Sequence, residues 1–283
     1  MKIGIIFEGG ASRTYFSCGV IDALLDEKIY ADYVIGVSAG ISFGVSYCSR
    51  QKERNLRILE QYEEKGIYQG FHHMFRKSNK SYYNLDFVFG EVPNKLVPFD
   101  FEAFKNHEGD CLAVVTNIDT GLPEYIPVIP DDKCFTALRA TCALPILFQP
   151  VEINGKYYLD GGLSDSIPFD KAFEDGCDKV IAVLTRPRGY RKSKESTTSI
   201  INLKYKKYPK LMESFKNRPE TYNKQIERLE ALEKEGKALL LAPEETFGIG
   251  RFEKRKAKLI PFYRYGYDYA MRNMEKIKEF IKG

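Results

Sequence analysis

A serine flanked by glycines two positions away on either side, Gly36-Val37-Ser38-Ala39-Gly40, is an arrangement that can make a hydroxyl into a nucleophile. The apolar Tyr33-Val34-Ile35 before it reads as a strand, and the small, apolar residues 39–49 after it as a buried helix. A sharp strand-to-helix turn crowds the backbone, and Gly36 and Gly40 leave room for it. Such a turn lifts the hydroxyl into solvent above the helix N-terminus, where developing negative charge is favoured. Ser38 is therefore a candidate nucleophile for acyl transfer. The same residues also suit a plain tight crossing in which Ser38 caps the helix, and the motif alone does not separate the two readings.

A serine nucleophile needs a base. The usual α/β-hydrolase order is Ser, acid, His, yet the three histidines His72, His73 and His107 leave none after residue 107. An ordinary triad is thereby disfavoured, and a carboxylate has to be considered. An aspartate in water, with a pKa near ~3.9, is a poor base, but a partly dry site raises it. Asp160, in Leu159-Asp160-Gly161-Gly162, follows a short apolar stretch, and its glycines allow close backbone approach. An Asp-Gly hairpin turn explains the same residues. Asp119, in Asn117-Ile118-Asp119-Thr120-Gly121, is a second candidate with the look of a turn. For the oxyanion, the segment Glu8-Gly9-Gly10-Ala11-Ser12-Arg13 leaves the first apolar run as a loop whose N–H groups can converge on an anion. Arg13 adds positive charge there or binds a surface carboxylate. Neither a P-loop nor a dinucleotide glycine pattern is present.

These segments need elements to position them. Short apolar runs at residues 2–7, 33–35, 111–116, 157–159, 179–184 and 238–242 read as strands. Helical spacing marks residues 14–26, 39–49, 132–143, 221–235 and 264–281. Asn154-Gly155 reads as a turn. The alternation predicts an α/β fold, a three-layer α/β/α sandwich around a mostly parallel sheet. Residues 1–185 form the expected catalytic core. Residues 186–283 add a basic excursion and C-terminal helices on the same domain. The 283 residues, 43% hydrophobic and 29% charged, suffice for a sizeable core and argue against disorder.

Taken jointly and in order, Gly9-Gly10-Ala11-Ser12-Arg13, Gly36 to Gly40 and Asp160-Gly161-Gly162 resemble the patatin-like phospholipase family. The stretches 137–145 and 163–168 look similar too. The likeness covers residues 1–185 and is looser afterwards. It implies a Ser38–Asp160 dyad without histidine and an oxyanion hole from Gly9, Gly10 and Ala11. Arg13, Gly36, Gly40, Gly161 and Gly162 would support the site, and the reaction would be hydrolysis of lipid acyl esters. The family usually carries a third glycine in the loop and another after its basic residue; Ala11 and Thr14 stand there. Alanine keeps its N–H, so the hole survives unless Ala11 must adopt a positive φ. A catalytically silent lipid-binding protein of the same fold and an acyltransferase are the alternatives.

The six cysteines form no C-x-x-C pair, and the histidines are too few for zinc sites, so neither metal nor cofactor is expected. The first apolar run is cut off by Glu8 and is too short for an export signal, which points to reduced thiols and a cytoplasmic location. No apolar stretch is long enough to span a bilayer. The aromatics of residues 67–101 read either as an apolar cap over an acyl-chain groove or as core. Between residues 186 and 218 stand eleven Lys/Arg against Glu195 and Glu213. That window reads as a peripheral contact with an anionic membrane, at about 1 kcal/mol per cation, or as a solvated face. No motif supports nucleic-acid binding.

Overall fold

The computed structural model describes residues 1–75, 81–193 and 198–283; Lys194 and Glu195 of the basic window lie outside them. The strands are β1 (Ile3–Phe7), β2 (Tyr33–Val37), β3 (Asp110–Asn117), β4 (Pro123–Pro127), β5 (Val151–Ile153), β6 (Lys156–Asp160), β7 (Lys179–Val183) and β8 (Ala238–Leu241). They form one sheet in the order β5-β6-β3-β2-β1-β7-β8, with β4 paired to β3 off that path. β3, β2, β1, β7 and β8 run parallel, whereas β4, β5 and β6 pair antiparallel.

The helices are α1 (Tyr15–Asp26), α2 (Ala39–Cys48), α3 (Arg54–Tyr62), α4 (Phe101–Lys105), α5 (Thr136–Thr141), α6 (Phe169–Glu174), α7 (Thr198–Tyr205), α8 (Pro209–Lys234), α9 (Lys256–Arg272) and α10 (Met274–Lys282). The central strands are apolar on both faces because helices cover both. On β1, Ile3, Ile5 and Phe7 pack into a core with α1, α2 and α9. Ile6 points the other way, toward Phe169 of α6 and Tyr222, Ile226 and Leu229 of α8. Each side chain fully buried this way contributes roughly 1.5–3 kcal/mol. The result is the expected α/β/α sandwich.

One registration positions the site. On one edge of β3, Val114 pairs with Val37 of β2 and the next residue, Val115, pairs with Asp160 of β6. The opposite edge of those residues is taken by Tyr125 and Glu124 of β4. β6 therefore continues along β3 where β2 stops. The end of each strand, Ser38 after β2 and Asp160 closing β6, is brought to one place.

Some elements differ from the sequence expectations. The helix expected over 132–143 is confined to α5, because Asp132 instead accepts the N–H groups of Cys134 at 2.9 Å and Thr136 at 2.6 Å in a turn. α8 starts at Pro209 rather than residue 221, and it carries Pro219 within it, a residue that reads as a breaker in sequence. β4 is bounded by prolines and partly exposed, which suits an edge strand and hides it from an apolar-run reading. The basic window is not a wholly exposed excursion: Tyr205, Leu211 and Phe215 are buried. Among the described residues, no helix is long and apolar enough to cross a membrane.

Candidate active site

Ser38 stands between β2 and α2 with φ 53° and ψ −132°, a backbone state that L-residues rarely hold. Its surroundings force the conformation. A methyl group on Gly36 would stand 2.9 Å from the Phe7 carbonyl oxygen, and one on Gly40 would collide with that oxygen outright. The Ser38 N–H donates to Thr141 Oγ1 at 2.8 Å, and Thr141 donates in turn to the Val114 carbonyl at 2.5 Å. Thr141, on α5, thus ties the turn to β3. The Ser38 carbonyl accepts from Ser42 N–H at 3.1 Å and Ser42 Oγ at 3.0 Å, which starts α2. The side chain is left half-buried and facing the pockets.

Asp160 is buried, 3% exposed. Its Oδ1 accepts the Gly162 N–H at 2.8 Å, capping the 3₁₀ turn Gly161–Leu163. A side chain on Gly161 would collide with the Val114 carbonyl, so the chain can pass there only as glycine. Asp160 Oδ2 is buried and has no hydrogen-bond partner. Burial pushes the carboxyl above the ordinary aspartate range; the neighbouring Ser38 hydroxyl, the Gly162 N–H and the charges of Arg218 and Arg251 hold it down in part. A buried carboxyl oxygen facing a serine hydroxyl is an arrangement that can accept the hydroxyl proton. Cys142 also approaches Ser38, but burial pushes its thiol up to about 12, so it is no thiolate.

The loop after β1 runs against the serine. A methyl group on Gly9 would stand 3.0 Å from Ser38 Cβ and 2.8 Å from the Val37 carbonyl oxygen. The N–H of Glu8 is spent on Val183 O at 3.0 Å, that of Ser12 on Arg251 O at 3.2 Å and that of Arg13 on Gly10 O at 3.2 Å. The three N–H groups between them, from Gly9, Gly10 and Ala11, have no acceptor among the described residues. Ala11 does adopt a positive φ, 48°. Two anchors enforce it. Glu8 accepts from Thr185 N–H at 2.6 Å, Thr185 Oγ1 at 3.0 Å and Tyr222 Oη at 3.0 Å. Ser12 Oγ donates to the carbonyls of Arg251 at 3.0 Å and Glu253 at 2.6 Å.

Left-handed backbone costs alanine about 1–2 kcal/mol, and glycine would add back about 0.4–1 kcal/mol of unfolded-chain entropy. Ala11→Gly is therefore expected to raise the unfolding free energy by about 0.5–1 kcal/mol. Urea unfolding checks this, and a loss of stability would show that Ala11 is not strained.

Ser38 lies where two cavities meet, sharing that boundary with Ala11 and Leu144. One cavity is apolar and walled by Phe43, Leu85, Val88, Phe89, Phe99 and Leu138, among others. The aromatic stretch 67–101 is thus both core and cavity wall. At its edge Glu63 accepts from Tyr15 Oη at 2.8 Å and Gln69 Nε2 at 2.9 Å, and burial pushes it up to about 7. The other cavity is polar. It is lined by Arg13, Arg186, Lys192, Arg218 and Arg251, with the carboxylates of Glu8 and Asp160.

Of the sequence candidates, Ser38, Asp160, Gly9, Gly10, Ala11, Arg13 and Gly162 come together around this point. Gly36, Gly40 and Gly161 stand behind it as close-packed backbone. Asp119 does not join them; its N–H and that of Thr120 bond the Asn117 carboxamide in an exposed turn. His72, His73 and His107 line neither cavity. Thr141, Thr185 and Arg251 were not anticipated. Nor was the inward turn of Arg186 and Arg218, read as part of a basic surface. Among the described residues, no cluster of three His, Cys, Asp or Glu is placed to hold a metal ion.

Comparison with known proteins gives the following. The family described as patatin-like phospholipase matches residues 5–173, and a domain of unknown function, DUF6363, matches residues 208–282. An uncharacterised protein of Escherichia coli, YjjU, is 23% identical over 192 residues, covering 66% of this chain and 52% of its own length. The lysophospholipase nte1 of Aspergillus terreus is 24% identical over 296 residues, covering 98% of this chain but 18% of its own. The chain thus spans about half of one relative and less than a fifth of the other. Among solved structures, VipD of Legionella pneumophila aligns over 97% of this chain and 67% of its own at 14% identity, with a TM-score of 0.49.

Proposed function

The chain belongs to the patatin-like phospholipase family, and from that premise we propose that it is a serine acyl hydrolase acting on fatty-acyl esters through Ser38 and Asp160. One observation carries the reading. A strained serine stands beside a buried carboxyl oxygen without a donor and three unspent backbone N–H groups, at the mouth of an apolar cavity.

In the first half-reaction Asp160 accepts the Ser38 hydroxyl proton as Oγ bonds to the ester carbonyl carbon. The N–H groups of Gly9, Gly10 and Ala11 hold the oxygen as it becomes negative. The carbon–oxygen bond to the alcohol then breaks, and the alcohol leaves with the proton from Asp160. In the second, water gives a proton to Asp160 while its oxygen bonds to the acyl carbon. Ser38 Oγ departs, takes the proton back, and the fatty acid is released. The apolar side chains that wall the cavity beside Ser38 suit a fatty-acyl chain. The name lysophospholipase carried by a relative supports a lipid ester as substrate. The exposed Lys206, Lys207, Lys210 and Lys216 would draw the molecule to an anionic bilayer.

Aryl esters of graded acyl length test this. Turnover is expected to rise with chain length until the apolar cavity is filled. Val88→Phe, which adds a ring to the cavity wall, should shift the optimum to shorter chains while sparing the shortest ester. Folded protein that turns over none of them would refute the hydrolase. An equal effect of Val88→Phe on every length would show that the apolar cavity does not hold the acyl chain.

A further inference from the structure

The polar cavity holds more positive charge than the reaction requires. Arg13, Arg186, Lys192, Arg218 and Arg251 face it, against Glu8 and Asp160. Glu8 is already saturated by Thr185 and Tyr222. Asp160 is turned to Gly162 and Ser38. Arg218 donates through Nε to the Gly162 carbonyl at 2.5 Å, and the Lys192 ammonium lies over the Tyr222 ring at 4.1 Å. The Arg186 guanidinium likewise lies over the Tyr190 ring, at 4.5 Å, so what sets Arg13, Arg186 and Arg251 apart is their charge pairing. Among the described residues none of the three forms a salt bridge, although exposed arginines nearby do, Arg188 with Glu233 and Arg191 with Glu230.

Arg13 is the sharpest case. It is 6% exposed, and its Nε is buried without a hydrogen-bond partner. A buried guanidinium of this kind is costly until something negative reaches it. Burial and the Arg186 charge, with Arg251 adding to them and Glu8 opposing, bring Arg13 down to about 10, so it stays cationic at neutral pH. Three guanidinium groups converging from the loop after β1, the end of β7 and the segment before α9 match a group with several anionic oxygens. Planar, multi-donor forks suit phosphate. The segment carrying Arg251 is itself fastened to the loop, through its carbonyl and Ser12.

We propose that this cavity is a phosphate-binding site, with Arg13, Arg186 and Arg251 as its ligands. The phosphate has two possible sources. One is the headgroup of the substrate, with the acyl chain in the apolar cavity and the alcohol side in the polar one; this source rests on the hydrolase reading above. The other is free phosphate.

Matched substrates and a binding titration decide. Lysophosphatidic acid and the monoacylglycerol of the same chain differ only in the phosphate. A headgroup site predicts at least a tenfold higher kcat/KM for lysophosphatidic acid. Arg186→Gln should remove most of that preference by raising KM for lysophosphatidic acid at least several-fold more than KM for monoacylglycerol. Free phosphate as the ligand predicts no preference, but calorimetric binding of inorganic phosphate to the wild-type chain that Arg186→Gln weakens about tenfold. Equal turnover of the two lipids together with no phosphate binding would overturn the proposal. So would an equal loss on both lipids in Arg186→Gln. If no ester is hydrolysed at all, the hydrolase reading fails by itself. Glycerol 3-phosphate titrated into wild type and Arg186→Gln then still decides the site: weaker binding by the variant supports it, and no binding by either refutes it.

Discussion

Ser38→Ala and Ser38→Gly are both expected to lower ester turnover by about 10⁴-fold or more, because each deletes the oxygen that forms the acyl-enzyme. The residual rate would come from the amides of the loop and from binding. The two variants should part company in stability. At φ 53° and ψ −132° the backbone strain belongs to the Cβ, not to the hydroxyl. Alanine keeps it. Glycine relieves about 1–3 kcal/mol of strain and restores less than about 1 kcal/mol of chain entropy, so Ser38→Gly should be the more stable by about 1 kcal/mol. Thermal unfolding of the pair checks this. Equal stability would mean that the turn is not strained, and full turnover by either variant would remove Ser38 from the chemistry.

The second large effect concerns Asp160. Asp160→Asn is expected to reduce kcat by about 10⁴-fold, since the carboxamide cannot take the serine proton. It is also expected to raise the Tm at neutral pH. The sign follows from linkage. The folded-state pKa of Asp160 lies above its unfolded value, with burial the main cause. The native state therefore binds the proton more tightly. Its favourable contribution is complete below the unfolded pKa and is lost as pH rises through the folded one. At neutral pH the ionised group is a net cost that asparagine removes, while the carboxamide oxygen can still accept the Gly162 N–H at Oδ1. The same shift places the acid limb of kcat/KM above the ordinary aspartate pKa of ~3.9, because only the ionised carboxylate accepts a proton. Retained activity in Asp160→Asn would sink the dyad, and an unshifted acid limb would sink the buried base.

How far the site was legible in the sequence depended on how local each feature is. Ser38 and Asp160 sit at strand ends, where glycines mark a close approach of backbone within a few residues, and that leaves a short, readable pattern. Gly9 and Gly10 did the same for the loop. The conformation of Ala11 was not legible. Its positive φ follows from Glu8 meeting Thr185, 177 residues away, and Ser12 meeting the Arg251 carbonyl, 239 residues away. Thr141 holds the Ser38 amide across 103 residues, with no spacing to announce it. Arg186 and Arg218 look in sequence like any members of a basic stretch; only the packing of α8 and the end of β7 turns them inward. The fold itself was legible because its parallel core strands are unbroken apolar runs. The antiparallel edge, β4 with its prolines and the three-residue β5, was not.

The central claim is that Ser38 is an activated nucleophile. Fluorophosphonate labelling of the folded protein, followed by peptide mass mapping, tests it most directly. An activated Ser38 should take one phosphonyl adduct per chain, formed much more slowly in Asp160→Asn. Folded protein that takes no label, or takes it on another residue, would contradict it.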